Sequence, residues 1–107
     1  MDTSALECLS DPRRLAIVEL LADGERCLCD ISGGLGISDA LASHHLKKLR
    51  ESGLVIAERR GIWLHCRLAP DVLEQTAATL IDLASRARTA GTAQARCCPV
   101  TDSGGVS

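Results

Sequence analysis

The chain has 107 residues, 46% of them apolar, which predicts one folded domain with a small core. Trp63 is the only Phe, Trp or Tyr residue, so the core depends on aliphatic side chains, and so small a core gains from oligomerisation. The net charge of −2 does not indicate whether the protein binds nucleic acid. No apolar run approaches the roughly 18 residues of a membrane span, and the first residues do not resemble a secretory signal. We therefore expect a cytoplasmic protein with no membrane partner.

Helices account for most of the first half of the chain. Periodic apolar residues and capping signals predict helices over residues 3–9, 12–23, 28–35 and 39–52. Asp11 and Ser38 are suited to cap the second and fourth of these helices, and Pro12 is suited to begin the second. Gly24 and Gly53 are suited to end them.

The pattern changes to a period of two after the fourth helix. In "LVIAERRGIWLHCRL", Leu64, Cys66 and Leu68 share one face of a strand. The central "ERRG" predicts the turn of a β-hairpin, with Gly61 supplying the unusual backbone angles. A last helix is predicted over residues 70–88.

Helix, turn, helix and a basic hairpin together are typical of the winged helix-turn-helix, a mainly α fold with a β-hairpin. In such a fold the second helix enters the major groove of DNA and the hairpin follows the backbone. The segment 44–67 has six basic and two acidic residues, a local charge of +4 that leaves −6 for the rest of the chain. This asymmetry favours a double-stranded DNA partner at one face, although charged residues also serve merely to solvate a surface.

Two regions follow from this interpretation. Residues 1–88 are expected to form the DNA-binding and dimerisation domain. Residues 89–107 are small, polar and interrupted by Gly and Pro, which predicts a flexible tail that carries Cys97 and Cys98.

The expected DNA contacts lie on the fourth helix and the hairpin. They are Ser38, Asp39, Ser43, His44, Lys47, Lys48, Arg59 and Arg60. His45 is expected to pack inside or to orient a neighbour. The chain has no Asn, so adenine recognition by that side chain is excluded.

Four stretches resemble the ArsR/SmtB family of metal-responsive repressors: "SDPRRLAIVELLADGE", "CLCD", "SDALASHHLKKLRESGLV" and "RRGIWLHCRL". The resemblance spans residues 6–83, and "CLCD" indicates the metal-sensing branch that includes arsenical-resistance repressors. It implies a homodimer built from the first and last helices. It also implies that the metal-free protein binds operator DNA without a cofactor and releases it when a metal binds.

The thiols carry the sensing hypothesis. Six cysteines in a cytoplasmic chain favour metal or redox chemistry over structural disulfides. The family site often reads C-x-C-x-x-C; Cys27 and Cys29 match its first two positions, but Ser32 stands at the third. Residues two apart share a side only in an extended chain, so this pair chelates one ion only where the helix start is extended or distorted.

A third ligand must come from elsewhere in the sequence. Cys97 or Cys98 is the expected donor, from either subunit, and Cys8 is the alternative. Cys66 shares a strand face with leucines and is expected to pack in the core.

Sulfur ligands select soft ions. Three thiolates suit As(III) or Sb(III), the expected inducers, whereas a fourth would favour Cd(II) or Pb(II). The family's other known site, on the last helix, needs His, and this helix has none.

Two rival functions use the same residues. A redox sensor would form a disulfide or persulfide between a thiol of the pair and the tail thiols, but Glu25 and Asp30 are expected to raise the thiol pKa and so disfavour it. An enzyme is not expected, because no motif accompanies Cys29 and the two histidines.

Overall fold

The computed structural model describes residues 3–90, which form five helices and three strands. In chain order they are α1 Ser4–Leu9, α2 Pro12–Leu21, β1 Arg26–Cys27, α3 Leu28–Leu35, α4 Asp39–Glu51, β2 Val55–Arg60, β3 Trp63–Leu68 and α5 Pro70–Ala90.

The predicted caps of α2 and α4 are present. The Asp11 carboxylate accepts hydrogen bonds from the backbone N–H groups of Arg13 (2.8 Å) and Arg14 (3.2 Å). The Ser38 hydroxyl accepts one from the Leu41 N–H (3.1 Å). These bonds satisfy donors that have no partner within the helix, which is why each helix begins where the sequence predicts.

The sheet has one strand more than predicted. Its antiparallel order is β1-β3-β2, and β1 pairs Arg26 with Cys66 and Cys27 with His65. A strand of two residues is too short to produce an alternating pattern, so the sequence carries no sign of it.

The hairpin turn lies further along the chain than predicted. Glu58, Arg59 and Arg60 belong to β2, and Arg60 pairs with Trp63, which leaves only Gly61 and Ile62 in the turn. Gly61 has a φ of 61° and no other type of residue in the described chain has a positive φ. A two-residue turn of this kind favours Gly at its first position, so the prediction of Gly61 was right and that of "ERRG" as the turn was wrong.

Aliphatic side chains from α2, α3, α4 and the hairpin form the core. Its largest fully buried members are Ile17, Ile31, Leu46, Leu49, Leu54 and Cys66. Cys66 therefore packs in the core, as predicted. This packing fixes α3, α4 and the hairpin relative to one another in a winged helix-turn-helix arrangement.

The last helix is packed only near its start, where Val72 and Leu73 lie against the core. It continues to Ala90, two residues beyond the predicted end, and every residue from 80 to 90 is exposed. Within residues 3–90, no helix is both long and apolar enough to cross a membrane.

Candidate DNA-binding surface and thiol pair

One face of α4 is exposed beside β2. Ser43, His44, Lys47 and Arg50 line the cleft between this helix and Ile56 of β2. Residues 43, 47 and 50 recur at helical spacing, so they present one polar and basic stripe to solvent. Arg50 was missing from the predicted contacts, although its spacing from Lys47 already placed it on this stripe.

The other predicted contacts of α4 lie elsewhere. Lys48 lines a groove with Cys8 of α1 and Arg14 of α2, away from the cleft beside β2. Ser38 caps the helix, and the Asp39 carboxylate accepts a hydrogen bond from the Ser32 hydroxyl. Lys48 therefore lies on the reverse side of α4, whereas Ser38 and Asp39 lie at its start, where they cap the helix and connect it to α3.

The two hairpin arginines differ in their surroundings. Arg59 is exposed and forms no ion pair with any described residue. Arg60 pairs with Glu25 (2.6 Å) and with Glu58 (2.8 Å). Hydrogen bonding to Arg60 holds the pKa of the Glu58 carboxyl below its ordinary value. The charge of Arg60 is therefore balanced within the protein, whereas that of Arg59 is available to a phosphate.

Cys27 and Cys29 converge where β1 meets α3. Cys27 is the N-cap of α3 with an extended backbone (φ −84°, ψ 162°), and its Sγ lies 3.1 Å from that of Cys29. The required extended start of the helix is thus present. Two sulfurs held at bonds of about 2.3 Å, near a right angle, on one ion would stand about 3.3 Å apart, so the pair fits a shared soft ion.

The hydrogen bond between the two thiols raises the pKa of Cys27 above its ordinary value, and burial and the Asp30 carboxylate act in the same direction. The Asp30 backbone N–H opposes them. The direction agrees with the prediction, but the largest cause is the neighbouring thiol.

The Ser32 hydroxyl is engaged in hydrogen bonds of its own. Its side chain is buried, and its hydroxyl donates to the Cys29 carbonyl (3.2 Å) or to Asp39. Ser32 therefore connects α3 with the start of α4, and its hydroxyl is not available as a ligand for an ion held by the thiols.

The remaining cysteines are separate from the pair. Cys8 is buried and its thiol donates to the Lys48 carbonyl (3.3 Å). Burial raises the pKa of the Cys66 thiol. Between residues 3 and 90, no three His, Cys, Asp or Glu side chains form a metal-binding group. Cys97 and Cys98 lie outside the described residues.

Trp63 lies near the thiol pair. A cavity of about 250 Å³ is lined by Cys29, Leu28, Arg59, Ile62 and Trp63, among others. The chain has no other tryptophan, so Trp63, which shares this cavity with Cys29, is its only tryptophan fluorophore.

Sequence comparisons agree with this geometry. The profile of the bacterial regulatory proteins of the arsR family matches residues 11–57. The chain is 46% identical over 79 residues to an arsenical resistance operon repressor of Escherichia coli K12, and the match covers 73% of this chain and 67% of that one. Identity is 39% over 67 residues with the arsenic resistance transcriptional regulator ArsR1 of Pseudomonas putida, covering 62% and 52% of the two chains. The chain thus spans about two thirds of the length of the first relative and about half of the length of the second.

Two solved structures share the fold. One is a possible transcriptional regulator for arsenical resistance (TM-score 0.70, 29% identity, 83% of this chain and 97% of that one). The other is a homodimeric winged helix-turn-helix DNA-binding domain from Mycobacterium bovis (TM-score 0.65, 29% identity, 88% and 86%).

Proposed function

The chain belongs to the ArsR family of bacterial regulatory proteins, and from this premise we propose a transcriptional repressor that binds operator DNA as a homodimer. In this proposal As(III) or Sb(III) binds to Cys27 and Cys29, and the repressor then dissociates from its operator DNA. The observation that carries the proposal is the pair of thiols 3.1 Å apart at the start of α3, directly before the DNA-reading helix α4.

The exposed stripe of α4 supports the DNA-binding part. Ser43, His44, Lys47 and Arg50 line the exposed cleft, and Arg59 lines the cavity beside it. In this proposal Ser43 and His44 meet base edges, whereas Lys47, Arg50 and Arg59 meet phosphates. Base contacts set sequence preference, whereas phosphate contacts set affinity and its dependence on salt.

The long exposed end of α5 supports the homodimer. Leu80, Ile81 and Leu83 are 48%, 67% and 50% exposed, which is costly for a helix that stands alone. A second copy of the chain would cover them.

The chemistry of the pair favours a trivalent metalloid. Each As–OH group leaves as water with the proton of the thiol it meets, so As(OH)₃ and three thiols give an As(III) tris-thiolate and three waters. A raised thiol pKa does not hinder this exchange, because the proton is consumed in it. The third thiol would come from Cys97 or Cys98, since Ser32 faces Asp39. A fourth thiolate would favour Cd(II) or Pb(II) instead.

Binding must then disturb α4. The thiol helix α3 contains Gly33 and Gly34, each of which costs about 1 kcal/mol relative to Ala in a helix interior. The Ser32–Asp39 hydrogen bond carries a deformation of α3 to the first turn of α4.

The test is a release assay on a duplex selected by the native protein from a random pool. Arsenite should dissociate the native complex and leave complexes of Cys27→Ser and Cys29→Ser intact. Cys66→Ser serves as the control, since it should lower the free energy of unfolding and still permit release. Release of the Cys27→Ser complex at the native arsenite concentration would contradict the proposal.

A thiol-redox sensor is the second candidate, because sulfurs 3.1 Å apart are close enough to react with one another. The raised pKa of Cys27 counts against it, since the thiolate is the reactive form. Mass measurement separates the two: arsenite adds one arsenic per site, whereas peroxide removes two hydrogens or adds oxygen.

A further inference from the structure

Glu25 joins the thiol segment to the hairpin. It lies two residues before Cys27, and its carboxylate pairs with Arg60 of β2 (2.6 Å) and with Nδ1 of His65 in β3 (3.2 Å). One carboxylate therefore contacts both strands of the hairpin.

Strand pairing makes a second connection at the same place. Cys27 is the register partner of His65, the residue whose ring faces Glu25. A movement of Cys27 thus acts on the hairpin through the backbone of β1 and through the carboxylate of Glu25.

We propose that Glu25, Arg60 and His65 form a latch that holds the hairpin in its DNA-binding position and that ligand binding at Cys27 and Cys29 opens it. The inference rests on the proposed function, since it names the route by which that site controls DNA binding. Glu25 is a positioning residue in this scheme and touches neither DNA nor the ligand.

The geometry explains how the latch opens. Cys27 is both a residue of β1 and one of the two thiols, so a pull on its sulfur by a shared ion displaces the strand that Glu25 directly precedes. Arg60 is the last residue of β2, so losing its partner beside β1 frees the hairpin near its tip. Isolated surface ion pairs contribute little to stability, and the latch acts by joining two segments.

Glu58 provides a matched control. It also pairs with Arg60, at 2.8 Å, but it lies on the same strand and connects the hairpin to nothing else. Glu25→Gln and Glu58→Gln each remove one negative charge beside Arg60, which favours DNA binding to a similar extent in both variants. Glu25→Gln also opens the latch, so without ligand it should bind DNA more weakly than Glu58→Gln does. Only Glu25→Gln removes the connection to β1.

The experiment measures two quantities for each protein. Trp63 fluorescence gives the Kd for arsenite without DNA, and anisotropy of a labelled, pool-selected duplex gives the DNA Kd with and without saturating arsenite. Arsenite affinity should stay within about twofold of native in both variants. The arsenite-induced change in DNA Kd should be at least about tenfold smaller in Glu25→Gln than in the native protein, and native-like in Glu58→Gln.

Amide hydrogen exchange over residues 60–68 supplies a readout that needs no ligand. It should be faster in ligand-free Glu25→Gln than in the native protein and unchanged in Glu58→Gln. If arsenite releases the native protein from DNA, and Glu25→Gln shows the same release and the same exchange rates as the native protein, the latch alone is overturned. Failure of the native complex to respond to arsenite would overturn the proposed function, and the latch with it.

Discussion

His45 lies on the inner face of α4 with both ring nitrogens buried and without a hydrogen-bond partner in the described part of the chain. Burial disfavours the charged imidazolium and lowers the pKa of His45 below the ordinary histidine value of about 6.5. The Asp11 carboxylate opposes this shift, while Arg14, His44 and Arg13 add to it. His45 is thus neutral inside the folded protein at neutral pH, consistent with the packing role expected from the sequence.

This burial predicts a dependence of stability on pH. Between the lowered folded pKa and 6.5, the unfolded chain binds a proton that the folded chain does not, so stability is lost as pH falls through that window. The urea midpoint should be lower at pH 5.5 than at pH 7.5, and His45→Leu should reduce the difference. His44→Ala removes an exposed ring and only a minor contribution to the His45 pKa, so it should leave most of the difference in place. An equal pH response in His45→Leu would show that other groups cause it.

At the scale of single elements, α3 is a helix that can be stabilised by replacing a glycine in its interior. A Cβ at Gly33 would meet no atom within 4 Å, so Gly33→Ala should stabilise the fold by about 0.5–1 kcal/mol. If ligand binding deforms α3, the same change should raise the arsenite concentration needed for release by up to about fivefold. Urea unfolding and the release assay measure the two effects.

Gly36→Ala is the control for that substitution. Gly36 has a φ of 67°, so Ala there should destabilise the protein. Stabilisation by Gly33→Ala with unchanged release would show that α3 binds the ligand without bending.

The sequence alone did not distinguish the two arginines of the hairpin, whereas their contacts in the structure do. Arg59 is free and Arg60 is paired, so Arg59→Ala should lower DNA affinity for all sequences and reduce the salt slope by about 0.9 for each lost phosphate contact, or about 1.8 per dimer. Arg60→Ala should change the slope less. Duplex binding at several salt concentrations tests this, and equal slopes in the two variants would contradict the distinction.

Local signals account for what the sequence predicted well. The caps Asp11 and Ser38 and the glycine at position 61 act on their own neighbours, so the helices and the hairpin could be placed from the sequence. Contacts between distant residues could not. Nothing local indicates that Glu25 meets Arg60, 35 residues away, or that Ser32 meets Asp39. The sequence therefore predicted which residue types form the candidate DNA surface. It did not predict which of the basic side chains there are free of ion pairs within the protein.

At the scale of the whole molecule, the exposed end of α5 predicts a homodimer. Ile81→Glu places a charge where a second copy would pack, and burial of such a side chain is worth about 1.5–3 kcal/mol. Sedimentation at micromolar concentration should show a dimer for the native chain and a monomer for this variant, with weaker DNA binding. Asp82→Asn, on the same exposed stretch, should remain dimeric. A native monomer would exclude the dimer.

The last prediction concerns the segment outside the described residues. Within residues 3–90 the site has two thiols and no third ligand, yet shifting a protein from 99% bound to 99% free requires the ligand to prefer the free state about 10⁴-fold, or about 5.5 kcal/mol. Two thiolates leave one arsenic position to exchangeable water, so a third thiolate is needed to reach that difference. From Ala90, where α5 ends, seven residues lead to Cys97 and can span at most about 25 Å.

Truncation after Arg96 should therefore leave operator binding intact and abolish or strongly blunt release by arsenite, because it removes Cys97 and Cys98 together. Cys97→Ser and Cys98→Ser, made singly in the full chain, should show which sulfur is used without changing the length of the segment. Operator anisotropy during arsenite titration measures both. If the truncated protein leaves its operator at the native arsenite concentration, the third ligand must be sought at Cys8, whose thiol would first have to give up its hydrogen bond to the Lys48 carbonyl.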